Sequence, residues 1–347
     1  MTETRAALTE MTLARMKEFY REPGAVFWAF GFPVLLAVAL GIAFRNRPPD
    51  PARVGVATAS DVLWLQAALA TPEIKVVLTG TPAEVEAAAR EGKVDLVVSV
   101  AAGRALSYRY DADNSAGHLA RLVVDNALQR AAGRLDALES ADQTVHEPGS
   151  RYIDYLMPGI IGMNVMGSSM WGIGYTIVWE RKKRLLKRLV ATPMRRSSYL
   201  LSYLLSRLIF LIVEVAALLL FAYFVFDVTI QGSLFGVAVV ALLGLLGFSG
   251  LSLLVASRVQ SIEAVTGWMN LAMLPMWLLS GSFFSYERFP EIIHPLVRLL
   301  PLTAINDGLR AIMSRGAALS AVVPEMVVLA LWAVLSFLVA LKIFRWE

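Results

Sequence analysis

Cysteine is absent from the 347 residues, and histidine occurs only three times, at His118, His146 and His294. The first absence excludes disulfides, thiolate metal sites and cysteine nucleophiles, and leaves the redox compartment open. The histidines are too scattered in sequence to suggest a metal site. Charge is scarce as well, at 17% of residues against 57% hydrophobic, and mean hydropathy is +0.59. Soluble domains carry about 25% charged residues, so the composition describes a membrane protein. No GxxxxGK[ST] phosphate loop occurs, since the Gly92-Lys93 pair has Ala87 where the first glycine belongs. HExxH and GxSxG are missing too, and no apolar stretch holds a serine, histidine and acid together. The chain is therefore expected to be no enzyme, to bind neither metal nor cofactor, and to hydrolyse no nucleotide itself.

What is present is a series of membrane-length apolar stretches. A hydrocarbon core about 30 Å thick needs about 20 apolar residues in a helix. Six segments answer that description: 24–44, 155–179, 199–226, 232–257, 264–286 and 322–344. The expected fold is an α-helical polytopic membrane protein of six transmembrane helices. Orientation follows from Lys and Arg near the span ends, which cytoplasmic loops retain. With the N-terminus inside, the inner segments hold four before the first span, nine between Arg181 and Arg207, one at Arg258, and two at Lys342 and Arg345. The outer loops hold none between the third and fourth spans and four between the fifth and sixth. Both termini are expected in the cytoplasm. The net charge of +4 and pI near 9.3 thus express membrane orientation and attraction to lipid, with no nucleic acid as partner.

Three regions outside the spans have their own character. Residues 45–154 alternate short apolar runs, "RVGVA", "IKVVLTG", "VDLVVSV" and "ALSYRY", with helix-like stretches, and read as an extracytoplasmic α/β domain inserted after the first span. Thr81, Pro82 and Glu84 predict a helix start, and Gly92 its end. Asp111, Asp113 and Asn114 read as a helix-capping turn, because EF-hand spacing is absent. Residues 1–23 predict an amphipathic interfacial helix with Leu8, Met16, Phe19 and Tyr20 on one face and Glu10, Lys17, Glu18 and Arg21 on the other. Acids among its bases argue against a cleaved secretory signal. Residues 287–316, apolar but broken by Pro290, Pro295 and Pro301, predict short re-entrant helices at the outer leaflet.

Between the second and third spans, residues 180–198 form a strongly basic cytoplasmic loop. Leu185, Leu186, Leu189 and Val190 make one stripe of a short helix, with Arg184, Lys187 and Arg188 on its other faces. Thr192 and Pro193 break it. Charge alone is explained by orientation and anionic lipid; the leucine stripe and the break are not.

In this position the loop resembles the coupling loop of type-2 ATP-binding-cassette exporter permeases. The resemblance runs from "FYREPGAVFWAFGFPVLLAVALGIAF" through "YLMPGIIGMNVM" to "ERKKRLLKRLVATPMRRSSYLLSYLLSR". Glu180, Arg181, Leu185, Leu189, Ala191, Thr192 and Pro193 match the family's loop, while bases including Arg184 and Lys187 replace its usual Gly-Thr and acid. The resemblance implies a transmembrane permease subunit that moves a drug, lipid or other amphiphile out of the cytoplasm or inner leaflet. It implies a separate ATPase subunit that binds the ATP, a homodimer or heterodimer of permeases, and a multi-pass place in a bacterial-type plasma membrane. Leu185, Leu189, Thr192 and Pro193 would dock the loop on the ATPase, with Glu180 and Arg181 fixing it to the membrane core.

Inside the third span, Glu214 is an acid at membrane depth, which costs about 2.5–3.5 kcal/mol on insertion scales. Arg207, seven residues earlier and on the same helix face, is its expected partner, directly or through water. A helix-packing role and a place in the substrate path both fit this pair. An ion-coupled secondary transporter using Glu214 would show an internal repeat that the chain lacks. A membrane receptor with an extracytoplasmic ligand-binding domain would need fewer spans.

Overall fold

The computed structural model describes residues 2–44, 51–57, 62–101, 105–135, 149, 151–184 and 196–344. The chain divides into two compact units, Arg47–Val145 and the remainder, Met1–Asn46 with His146–Glu347.

The smaller unit carries a four-stranded sheet. Strands β1 (Ala52–Ala57), β2 (Ile74–Gly80), β3 (Leu96–Ala101) and β4 (Ala105–Arg109) lie in the order β2-β1-β3-β4. β1 is parallel to β2 and β3, and β4 closes antiparallel on β3. Helices α3 (Val62–Leu69) and α5 (Ser115–Ala131) bury Leu65, Leu69, Val124 and Leu128 against Val54, Val56, Leu96 and Val98. On the opposite face, α4 (Pro82–Arg90) packs Val85 and Ala88 against Val94 and Val97. All four expected strands are present. The start of α4 is a reciprocal capping box, in which Thr81 Oγ1 accepts from the Glu84 amide at 3.4 Å and Glu84 Oε2 from the Thr81 amide at 3.0 Å. Gly92 ends this stretch at φ +69°. The Asp111–Asn114 segment caps α5 through Asn114 Oδ1, 3.0 Å from the Ala116 amide.

One half-buried carboxylate ties this sheet together. Asp95 accepts from Arg53 Nη2 at 2.6 Å and Nε at 3.0 Å, and from the Arg53 amide at 3.2 Å. The Arg53 bonds hold its carboxyl below the usual range despite the opposing effect of burial. Because the folded value lies below the unfolded value of about 3.9, the resulting stability is present above that pH and is lost as pH falls through the folded value. Asp95→Asn should cost about 1 kcal/mol at neutral pH, since Arg53 is half exposed. Hydrogen exchange over β1 and β3 checks this: the substitution should speed it at pH 7, and the difference should shrink in acid.

The larger unit is helical. Helix α1 (Thr2–Arg21) is followed by α2 (Pro23–Ala43), which is interrupted by a π-turn at Phe27–Gly31. Helix α6 runs as Tyr152–Ser169, a second π-turn Met170–Tyr175 and Thr176–Lys182. Then come α7 (Arg196–Phe226), α8 (Leu234–Ala256), α9 (Ile262–Leu279), α10 (His294–Arg298), α11 (Pro301–Arg315) and α12 (Val323–Ile343). Among the described residues, five helical segments are long and apolar enough to cross a membrane: Pro23–Ala43, Leu201–Phe226, Leu234–Ala256, Ile262–Leu279 and Leu319–Ile343. The expected span 155–179 is helical but is not one of them. Its glycines, serines and Asn164 dilute its hydropathy, and those small residues suit its place as the buried centre of the unit, from Ile153 to Val178.

Small residues set this packing. Gly244 of α8 faces Ile305 of α11, and Gly250 faces Ser336 and Phe337 of α12. Two arginines at the ends of α6 cap neighbouring helices whose last carbonyls would otherwise be unpaired. Arg151 donates to Phe226 O at 2.8 Å and Asp227 O at 3.0 Å, beyond α7, while bridging Asp154 at 2.8 Å. Arg181 does the same for α8. Residues 287–316 form short helices, as their prolines predict. Helix α1 packs along α7 through Phe19, whose ring lies 4.3 Å from that of Phe210. Tyr20 is 81% exposed and takes no part in this packing. Arg15, Phe19 and Thr12 make the packed stripe, which turns Tyr20, one residue on, about 100° away.

Candidate coupling site at the root of the basic loop

The loop residues Leu185, Leu189, Thr192 and Pro193 lie outside the described residues. Its root is described, and there three consecutive charges at the end of α6 reach three different places. Glu180 is 9% exposed. Its Oε1 accepts from Arg15 Nη1 at 3.2 Å, and its Oε2 from the Tyr199 hydroxyl at 2.5 Å. Arg15 Nε donates to Ser202 Oγ at 3.2 Å, and its guanidinium lies 3.2 Å from the centre of the Tyr203 ring. One arginine of α1 therefore joins the loop root to the first turns of α7 by an ion pair, a hydrogen bond and a cation–π contact. Burial disfavours the Arg15 cation, but Tyr203 and Glu180 outweigh it and raise its pKa above the ordinary guanidinium value.

Arg181 turns the other way. Its Nη1 donates to Ala256 O at 2.9 Å and Val259 O at 2.5 Å, capping α8 at the end where a cation is favoured. Its guanidinium also lies 5.3 Å from the centre of the Phe344 ring, just beyond α12. Lys182 Nζ is 3.8 Å from Glu263 in the first turn of α9, an exposed pair that adds little. Arg184, at φ 54°, turns the chain out of the helix. These contacts join the root of the loop to α1, α7, α8 and α9.

Glu180 and Arg181 are thus brought together as anchors facing opposite sides. Arg15, Tyr199, Ser202 and Tyr203 were not expected from sequence. The signal was there in the polar series Tyr199, Ser202, Tyr203 and Ser206, which recurs at helical spacing in an otherwise apolar stretch. Glu214 and Arg207 do share a face of α7 directed at α6. Glu214 is 1% exposed, neither of its oxygens has a hydrogen-bond partner, and Ser168 and Arg207 are the polar groups that bear on it. The anticipated partnership is therefore one of field across a gap.

The five membrane-length helices, the buried α6 and the small sheet unit define a multi-pass membrane protein with an inserted domain. The chain belongs to the ABC-2 transporter family, whose "ABC-2 family transporter protein" pattern it matches over residues 23–342. It is 30% identical to ABC transporter G family member 20 of Dictyostelium discoideum over 197 residues, 56% of this chain and 27% of that protein. It is 25% identical to the linearmycin resistance permease protein LnrN of Bacillus subtilis over 177 residues, 51% of this chain and 46% of that one. It is 24% identical to the probable multidrug ABC transporter permease YbhS of Escherichia coli over 165 residues, 47% of this chain and 43% of that one. The matches span less than half the length of these relatives.

Proposed function

We propose that this chain is the transmembrane permease subunit of an ATP-driven exporter. It moves a drug, lipid or other amphiphile out of the cytoplasm or inner leaflet, driven by ATP bound and hydrolysed in a separate ATPase subunit. In this reading α6 is the second of six spans, the sheet domain stands outside the cytoplasm, and both termini face inward in a bacterial-type plasma membrane. Two such permeases, alike or paralogous, assemble with the ATPase. The observation that carries the reading is the loop root, where Glu180 and Arg181 tie a leucine-striped basic loop to α1, α7 and α8. The stripe suits a helix-in-groove contact on the ATPase, with leucines as anchors and bases setting orientation.

The test replaces Leu185 and Leu189 together with Asp. ATP-driven transport should fall at least tenfold in proteoliposomes containing both subunits, while the amount of permease in the membrane is unchanged. Transport at the wild-type rate would contradict the reading.

A further inference from the structure

Glu214 and Arg207 are charges in the α6–α7 packing that the coupling site does not use. The Glu214 carboxylate is buried, and neither of its oxygens has a hydrogen-bond partner. Arg207, the cation whose charge bears on it, makes no hydrogen bond to it. Its guanidinium occupies the space above Gly172, where a Cβ would fall 1.8 Å from Cζ, and the Phe210 and Phe19 rings lie 5.5 and 5.9 Å from it. Gly172 belongs to the π-turn Met170–Tyr175. The other π-turn, Phe27–Gly31 of α2, packs against the same helix α7, and its Ala29 carbonyl accepts from Asn164 Nδ2 of α6 at 3.1 Å. Single π-turns within helices are concentrated at functional positions. An acid with no hydrogen bond thus lies on a helix bordered by two π-turns, and the guanidinium whose charge bears on it is stacked over the backbone at Gly172.

We propose that Glu214 is the recognition group for a cationic amphiphile, the charge of the transported molecule serving as the carboxylate's counter-ion during passage. The proposal deepens the exporter reading, and rests on it, by giving the substrate a charge. Arg207 is then a competitor, since it attracts the same carboxylate and repels the same ligand. The two residues must therefore act on cation binding with opposite signs, whereas residues that merely pack would weaken it together.

The experiment uses the purified full chain in lipid nanodiscs, without ATPase or nucleotide, so that its failure is distinct from any failure of coupling. The probes are tetraphenylphosphonium and tetraphenylborate, of like shape and opposite charge. Tetraphenylphosphonium should bind the wild type, bind Glu214→Gln at least tenfold more weakly, and bind Arg207→Gln at least threefold more tightly. Glu214→Asp, which keeps the charge, should stay within threefold of wild type and serves where the glutamine variant does not fold. Tetraphenylborate should not weaken in Glu214→Gln. No binding of tetraphenylphosphonium to the wild type, equal affinity in Glu214→Gln, loss of binding in the aspartate variant, or weakening in Arg207→Gln would each overturn the proposal.

Discussion

Glu180→Gln is expected to lower ATP-driven transport at least tenfold while leaving the protein in the membrane. The glutamine keeps the size of the side chain and one acceptor, but removes the charge that faces Arg15, where both partners are 11% exposed. Breaking a buried ion pair from one side costs about 3–5 kcal/mol, because the remaining charge is stranded. Arg15 keeps Ser202, the faces of Tyr199 and Tyr203 and at most a neutral amide oxygen in place of the carboxylate. A tenfold loss needs only about 1.4 kcal/mol of that to fall on the coupled step. Transport and ATP hydrolysis measured together in proteoliposomes check the prediction: hydrolysis should persist while transport falls. Arg15→Lys, which keeps charge but loses the planar fork, should give a smaller loss. Equal transport in wild type and Glu180→Gln would show that the node is ornamental to coupling.

Gly159→Val should be the most damaging change to the fold itself. A Cβ at Gly159 would lie 2.3 Å from the Ser282 carbonyl oxygen, which is backbone and cannot rotate away. That backbone is held from several sides. Tyr155 donates to Gly281 O at 2.7 Å, Tyr152 to Phe283 O at 3.1 Å, Asn306 to Ser280 O at 3.0 Å, and Arg310 to Gly281 O at 2.8 Å. Overpacking costs about 1–3 kcal/mol where neighbours can yield, and here they are tied, so the upper end or beyond is expected. Thermal unfolding in detergent should show a fall in Tm of about 6 °C or more, at roughly 2–4 °C per kcal/mol. Gly167→Ala is the control: nothing lies within 4 Å of the added Cβ, and Tm should hold or rise.

The contrast between these two regions also shows what the sequence made legible. Every strand of the sheet unit and the start of α4 could be read beforehand, because alternation, capping residues and turn glycines are local signals. Helix α3 could not, since "VLWLQAAL" is short and apolar almost throughout and so carries no period. Five membrane-length helices were legible from hydropathy, although the stretch expected to run from 264 to 286 ends as a helix at Leu279, where Ser280 and Gly281 turn the chain. For α6 the same small residues that lower its hydropathy are what allow it to lie buried at the centre, so composition understated its role. At the coupling site, Glu180 and Arg181 were visible as a motif, but their partners were not. Arg15 stands 165 positions before Glu180, and nothing local in α1 separates it from the bases around it. The partnership of Arg207 and Glu214 was half right: helical spacing placed them on one face, but the stacking of Arg207 over Gly172 in the π-turn, without a hydrogen bond to Glu214, is a tertiary fact.

The most direct test of the coupling account uses the absence of cysteine, which makes any introduced thiol unique in the chain. Leu185→Cys is reacted with a water-soluble maleimide, in the permease alone and in its complex with the ATPase. The account predicts ready labelling in the free permease and at least tenfold slower labelling in the complex, because Leu185 then sits in the ATPase groove. Equal labelling in both would contradict it.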